Sequence, residues 1–215
     1  MRIKYNEQLD MLNTEMKAMG LLCENAISGV VGALVKKDKT NLSFVFDTEV
    51  KIDQKERDIE GICMKLLLKQ QPVASDLRTV SSALKMISDM ERIGDQAADI
   101  AELVSYIDEA DEKCLNDIND MAAATIKMVT ESIESFIKKD IAKTQEVIDY
   151  DDVVDRLFSK VKKDLAETIG KSPEKSEICL DMLMIAKYFE RIGDHATNIA
   201  EWVFYSLTGF HKSQD

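Results

Sequence analysis

Apolar positions recur with a helical period in six long stretches of the chain, each too long and too regular for a strand. The first runs from about Tyr5 to Lys36, the second from Asn41 to Gln70 and the third from Val73 to Ile107. The polar run Asp108 to Lys113 interrupts the pattern, and a fourth stretch follows to Lys138. The fifth spans about Ile141 to Ile169 and the sixth Pro173 to about Leu207. Pro72 and Pro173 stand at helix starts, where a missing amide costs nothing, and Ser172 is placed to cap the sixth helix.

An internal repeat gives the six helices their grouping. Glu91-Arg92-Ile93-Gly94-Asp95-Gln96-Ala97-Ala98-Asp99-Ile100-Ala101-Glu102 recurs as Glu190-Arg191-Ile192-Gly193-Asp194-His195-Ala196-Thr197-Asn198-Ile199-Ala200-Glu201, 99 residues later and identical at nine of twelve positions. Chance does not produce that. The chain is expected to be all-α: two tandem three-helix bundles, over residues 1–108 and 109–215, each carrying the motif in its last helix.

Composition agrees with helix throughout, since only 8 Gly and 2 Pro punctuate 215 residues. The net charge of −12 and the absence of a basic stripe argue against direct binding of nucleic acid, whose affinity comes largely from Lys and Arg. Met1 to Asp10 is polar and lacks the apolar core of a signal peptide. The most apolar stretch, Ala18 to Val35, contains Glu24 and Asn25 and reads as too interrupted to span a bilayer, so a cytoplasmic location is expected. Cys23, Cys63, Cys114 and Cys179 are widely spaced, with no zinc spacing and no disulfide framework; they read as reduced cysteines of a cytosolic protein.

Carboxylates stand where a bundle wants apolar side chains. The second helix has an apolar seam of Val45, Ile52, Ile59 and Leu66, and the alternate seam positions are Glu49, Glu56 and Cys63. In the fifth, the seam Val147, Asp151, Val154, Phe158, Val161, Leu165 puts Asp151 where Glu49 stands in the first repeat. Each is followed four residues on by another acid, giving Glu49 with Asp53 and Asp151 with Asp155. Beside the core stripe of the third helix run Glu91, Asp95, Asp99 and Glu102; the sixth has Glu190, Asp194, Asn198 and Glu201. Residues four apart are neighbours on a helix, and like charges at that spacing cost about 0.2–0.5 kcal/mol per pair when exposed. A divalent or trivalent cation cluster between the second and third helices, with a twin between the fifth and sixth, would offset the cost. Such oxygen-rich sets suit iron, manganese, magnesium or calcium better than a structural zinc. The competing reading has Arg92 and Arg191 pairing with the acids while the ladders face water.

Gly94 and Gly193 lie in mid-helix, where each costs about 1 kcal/mol against alanine. Close approach of a packing helix explains them better than a ligand does. His195 follows Asp194, but Gln96 takes its place in the first repeat, so a repeated metal site would not depend on it.

The run Gln71-Pro72-Val73-Ala74-Ser75-Asp76-Leu77-Arg78, followed by Glu91-Arg92-Ile93-Gly94-Asp95, resembles the signature of the PhoU family, and the resemblance covers almost the whole chain. The second repeat lacks a good copy of the first run, having Pro173-Glu174-Lys175-Ser176-Glu177. The resemblance implies two three-helix bundles related by a pseudo-two-fold axis. It also implies a cytoplasmic accessory of the phosphate ABC transporter that helps repress phosphate uptake and the phosphate-starvation regulon. The expected partners are the transporter's ATPase subunit and a membrane sensor histidine kinase, and a homo-oligomer, a dimer, is expected. The family's Glu/Asp-x-x-x-Asp metal motif falls here on Glu49 and Asp53, Glu91 and Asp95, Asp151 and Asp155, and Glu190 and Asp194. Asp99 and Asn198 are further candidate ligands. Iron is the first expectation, with manganese, magnesium or zinc as alternatives, in multinuclear clusters.

No nucleophile, phosphate loop or acid–base pair stands in a recognisable setting, so the chain is not expected to be an enzyme. A di-iron oxidase would bring a Glu-x-x-His motif, and neither histidine stands three residues after a glutamate. The other alternative is a metal-binding bundle with a structural or storage role and no phosphate function.

Overall fold

The computed structural model describes residues 2–36, 39–69, 73–107 and 112–211. Six long helices account for nearly all of them: α1 (Arg2–Lys36), α2 (Leu42–Lys69), α3 (Ala74–Tyr106), α4 (Glu112–Lys138), α5 (Ile141–Lys171) and α6 (Ser176–Thr208). Short 3-10 turns at Lys39–Asn41 and Pro173–Lys175 lead into α2 and α6.

The seams read from the sequence are the ones that pack. Val45, Ile52, Ile59, Cys63 and Leu66 on α2 are fully buried, as are Met86, Met90, Ile93, Ala97 and Ile100 on α3. On α5, Val147, Val154, Val161 and Leu165 are buried, while Asp151 and Phe158 sit half-buried beside them. α2 packs on α1 and α3 of its own half; α5 packs on α4 and α6 of the other. The halves meet through α3 on α6 and α1 on α4, so α2 and α5 lie on opposite outer flanks.

By length and composition α1 is a candidate membrane span, contrary to the expectation that Glu24 and Asn25 interrupt it too far. Its apolar stripe is used within the bundle: Leu12, Met16, Met19, Cys23, Ala26, Ile27 and Val30 have no exposed surface. Glu24 accepts a hydrogen bond from Thr130 on α4, which gives this carboxylate a partner inside the seam.

Local rules set the helix ends. α4 stops where Lys139 takes a left-handed φ of 55°, and the Asp140 amide bonds back to the Ser135 carbonyl at 3.0 Å. Asp140 then caps α5, its carboxylate accepting from the Lys143 amide at 3.0 Å. At the start of α3, Asp76 reaches back to the Val73 amide at 3.4 Å; Pro72 lies outside the described residues. One expected cap fails. The Ser172 hydroxyl makes no capping bond, because Pro173 opens a 3-10 turn whose Lys175 amide is met by the Ser172 carbonyl at 3.0 Å, and α6 begins only at Ser176.

α3 and α6 run antiparallel across the centre, as two contacts show. Asn198 on α6 donates to Asp89 on α3 at 3.1 Å, and Asp99 on α3 and Tyr188 on α6 stand close enough to shift each other's pKa. The 99-residue offset of the repeat maps Asp89 onto Tyr188 and Asp99 onto Asn198, so the second contact is the first turned over. That exchange is the pseudo-two-fold axis expressed in side chains.

Candidate metal centre

Gly94 lets α2 and α3 come close. A Cβ at Gly94 would stand 2.9 Å from Cδ1 of Ile52, and a Cβ at Gly193 would stand 3.3 Å from Cγ1 of Val154 and 3.5 Å from Oδ1 of Asp151. Both glycines therefore serve close helix packing, and the packing brings the flanking acids together.

On the α2–α3 flank, Glu49, Asp53 and Asp95 each offer a carboxylate oxygen, all within 4.8 Å of one another. All three are half-buried. Burial pushes Glu49 above the usual carboxylate range, and the charges of Asp53 and Asp95 push it further. Asp95 is raised chiefly by burial, against the pull of Arg92, with Asp53 and Asp99 adding to the rise. Glu91 stands one turn before Asp95 and is likewise raised, first by burial, then by Asp95, with Glu56 and Asp53 contributing. Counter-charge comes from the rim: Arg92 lies 3.5 Å from Glu91 and 3.9 Å from Asp95, and Arg57 lies 3.7 Å from Asp53. Both arginines are well exposed, so their pull is screened by water.

The α5–α6 flank carries the twin residues in a looser arrangement. Asp151 is half-buried and its carboxyl is pushed up to about 6, first by burial and then by Asp194 and Asp155. The Thr197 hydroxyl draws it back a little, yet that buried oxygen completes no hydrogen bond. Asp194 is raised by burial and by Glu190, and lowered by Lys187. Glu190 is held in an ion pair by Lys187. Among the described residues, the triad on the first flank is the one group of three acids that closes to coordination distance.

The remaining candidates face the centre. Asn198 donates to Asp89, and His195 Nδ1 lies 2.9 Å from the same Asp89 oxygen. Asp99 meets Tyr188, with burial first and then Glu102 raising it. These three are thus engaged across the α3–α6 seam. Asp89 was not singled out by the sequence; the only signal for it is that the repeat places an acid at 89 and a tyrosine at 188. Glu56 was visible as an acid in an apolar seam, and Lys187 was not visible at all.

The set can do one kind of chemistry well. Carboxylate oxygens on two rigid helices, short of local counter-charge, form a cradle for a hard cation.

Comparison with known proteins places the whole chain. The PhoU domain family model matches residues 16–104 and again 118–203. The phosphate-specific transport system accessory protein PhoU homolog of Clostridium acetobutylicum is 30% identical over 207 residues, covering 95% of this chain and 94% of the relative. The crystal structure of PhoU from Pseudomonas aeruginosa superposes with a TM-score of 0.90 at 31% identity, over 96% of this chain and 100% of that one. The structure of the phosphate transport system regulatory protein PhoU from Streptococcus pneumoniae gives a TM-score of 0.89 at 26% identity, over 97% and 99% of the two chains.

Proposed function

The chain belongs to the PhoU family, and from that premise we propose that it is a cytoplasmic accessory of a phosphate-specific transport system that restrains phosphate uptake and the phosphate-starvation regulon. The observation that carries this reading is the near full-length match, across both repeats, to a relative named for that accessory role. In this reading it is an adaptor between the ATPase subunit of the phosphate ABC transporter and a membrane sensor histidine kinase, and it works as a homo-oligomer. It transfers no group itself.

The acids of the α2–α3 flank fit a hard cation such as iron or manganese: Glu49, Asp53 and Asp95 converge, and Glu91 lies one turn from Asp95. Asp151, Asp155, Glu190 and Asp194 are the corresponding set on the other flank. A bound cation would supply the positive charge that these carboxylates lack. Unneutralised, the flanks would repel an acidic partner surface; neutralised, they can dock. Docking to the ATPase subunit or the kinase should therefore weaken after treatment with a chelator.

Deletion of the gene, with phosphatase expression and phosphate uptake followed in phosphate-rich medium, tests the regulatory reading. Constitutive phosphatase expression or unrestrained uptake is the expected result. No change in either would favour the bundle with a structural or metal-storing role.

A further inference from the structure

The two carboxylate flanks differ at two positions that the repeat makes equivalent. Ser88 on α3 corresponds to Lys187 on α6, and Glu56 on α2 corresponds to Phe158 on α5. The structure puts each pair in contact. Ser88 donates to Glu56 at 3.1 Å, and Glu56 stands close enough to Glu91 to help raise its pKa. In the other half, Lys187 donates to Glu190 while its ammonium sits 5.5 Å from the centre of the Phe158 ring.

We infer that the flanks are unequal cation sites: the α2–α3 flank is the tight one, and in the α5–α6 flank the Lys187 ammonium stands in for part of the cation as a built-in counter-ion. This rests on the cation reading of the acidic flanks proposed above.

Three observations carry it. The first is charge. The α2–α3 flank gathers Glu49, Asp53, Glu56, Glu91 and Asp95; the α5–α6 flank has Asp151, Asp155, Glu190 and Asp194 with Lys187 among them. Arg92 and Arg191 occupy matching places and cancel in the comparison. The first flank also carries Arg57 beside Asp53, so it is one charge more negative, and for oxygen-ligand sites affinity rises with the number of charged ligands. The second is geometry, since three carboxylates already converge within 4.8 Å on the first flank. The third is the lysine's anchorage. Glu190 keeps only 15% of its side-chain surface exposed, so its pair with Lys187 is more sheltered than the rim contacts of Arg92. The flanking aromatic ring favours an ammonium over water at that point. An ammonium ion supplies charge but no lone pair, so a metal ion entering this flank must displace it from Glu190 or share the site with it.

Full-length protein, stripped with a chelator and titrated with Mn2+ under calorimetry and electron paramagnetic resonance, tests this directly. Two classes of site are expected, separated by at least tenfold in Kd. Asp95→Asn should remove the tight class and Asp194→Asn the weak one. Lys187→Ser should tighten the weak class at least tenfold and leave the tight class where it is, whereas Lys187→Arg should keep the wild-type separation. Equal affinities in the wild type would overturn the inference, and so would a weak class that Lys187→Ser does not move. No Mn2+ bound by either flank would overturn the cation reading and this inference with it. Circular dichroism of each variant separates lost binding from lost folding.

Discussion

Glu49 on α2 and Asp95 on α3 approach within 4.8 Å across a helix interface whose closeness is set by Gly94 against Ile52. Two carboxylates at that distance, partly out of water, oppose each other and oppose folding of the metal-free chain. The Glu91→Gln/Asp95→Asn double variant should therefore lose the tight class of cation binding, keeping the weak one and its helix content. Metal analysis and circular dichroism on the same sample read both outcomes. Unchanged metal content would remove these acids as ligands.

Burial of the acids on both flanks, with repulsion among them, gives the metal-free protein an unusual pH response. Asp151 is held up to about 6 in the folded state against an ordinary value of 3.8, so the folded chain binds this proton more readily than the unfolded chain. Stability from this group is therefore gained as pH falls from above 6 towards 4, and lost as pH rises through 6. Glu49, Glu91, Asp95 and Asp194 shift in the same direction. Thermal melts of chelated protein should show a higher Tm at pH 5.5 than at pH 7.5. Asp151→Asn should shrink that difference, and added Mn2+ should shrink it by raising the Tm at pH 7.5. A metal-free Tm that falls steadily over the same interval would contradict the burial of these acids.

Asp89 accepts from both His195 and Asn198 across α3–α6. Asp89→Ala leaves two half-buried groups without their partner and should cost about 1–3 kcal/mol in denaturant unfolding. Asn198→Asp restores the residue found at the equivalent Asp99, yet sets a carboxylate against Asp89. It should destabilise the chain at pH 7.5 and less so at pH 5, a difference that loss of packing alone would not produce.

Gly94 and Gly193 respond differently to added bulk. At Gly94 an alanine Cβ meets the flexible end of Ile52 at 2.9 Å, so the helix-propensity gain of about 1 kcal/mol is offset by overpacking. Gly94→Leu has no room and should destabilise by about 2–3 kcal/mol while prising Glu49 from Asp95. Gly193→Ala meets Val154 at 3.3 Å and should be milder. Urea unfolding midpoints order the three variants, and Mn2+ affinity of any folded Gly94→Leu protein reports the separation of the acids.

Much of this molecule is legible without coordinates because long helices announce themselves. Val45, Ile52, Ile59 and Leu66 recur every seven residues and all are buried. The tandem motif identifies Glu91, Asp95 and their copies as a unit. What periodicity does not carry is orientation within the interface. Asp99 and Asn198 lie on the same ladder as Asp95 and Asp194, one turn on, yet they meet Tyr188 and Asp89 across the centre. Whether an acid at a given height reaches its flank or the facing half depends on the angle at which the helices cross, which no single-helix pattern encodes. The failure of the Ser172 cap has the same character: Pro173 suits an α-helical first turn and a 3-10 turn equally well. Lys187 escaped notice because its meaning lies in the comparison with Ser88, a position outside the repeated motif.

The antiparallel seam of α3 and α6 has the form of a homodimer interface drawn within one polypeptide. In a true homodimer every substitution is imposed twice, once on each face, and a change tolerable on one side must be tolerable on both. Joining the copies lifts that constraint. Gln96 and His195, Asp99 and Asn198, Ser88 and Lys187 are equivalent pairs that a symmetric homodimer would have to keep alike. A single chain carrying both copies can thus differ between its halves where a symmetric dimer cannot.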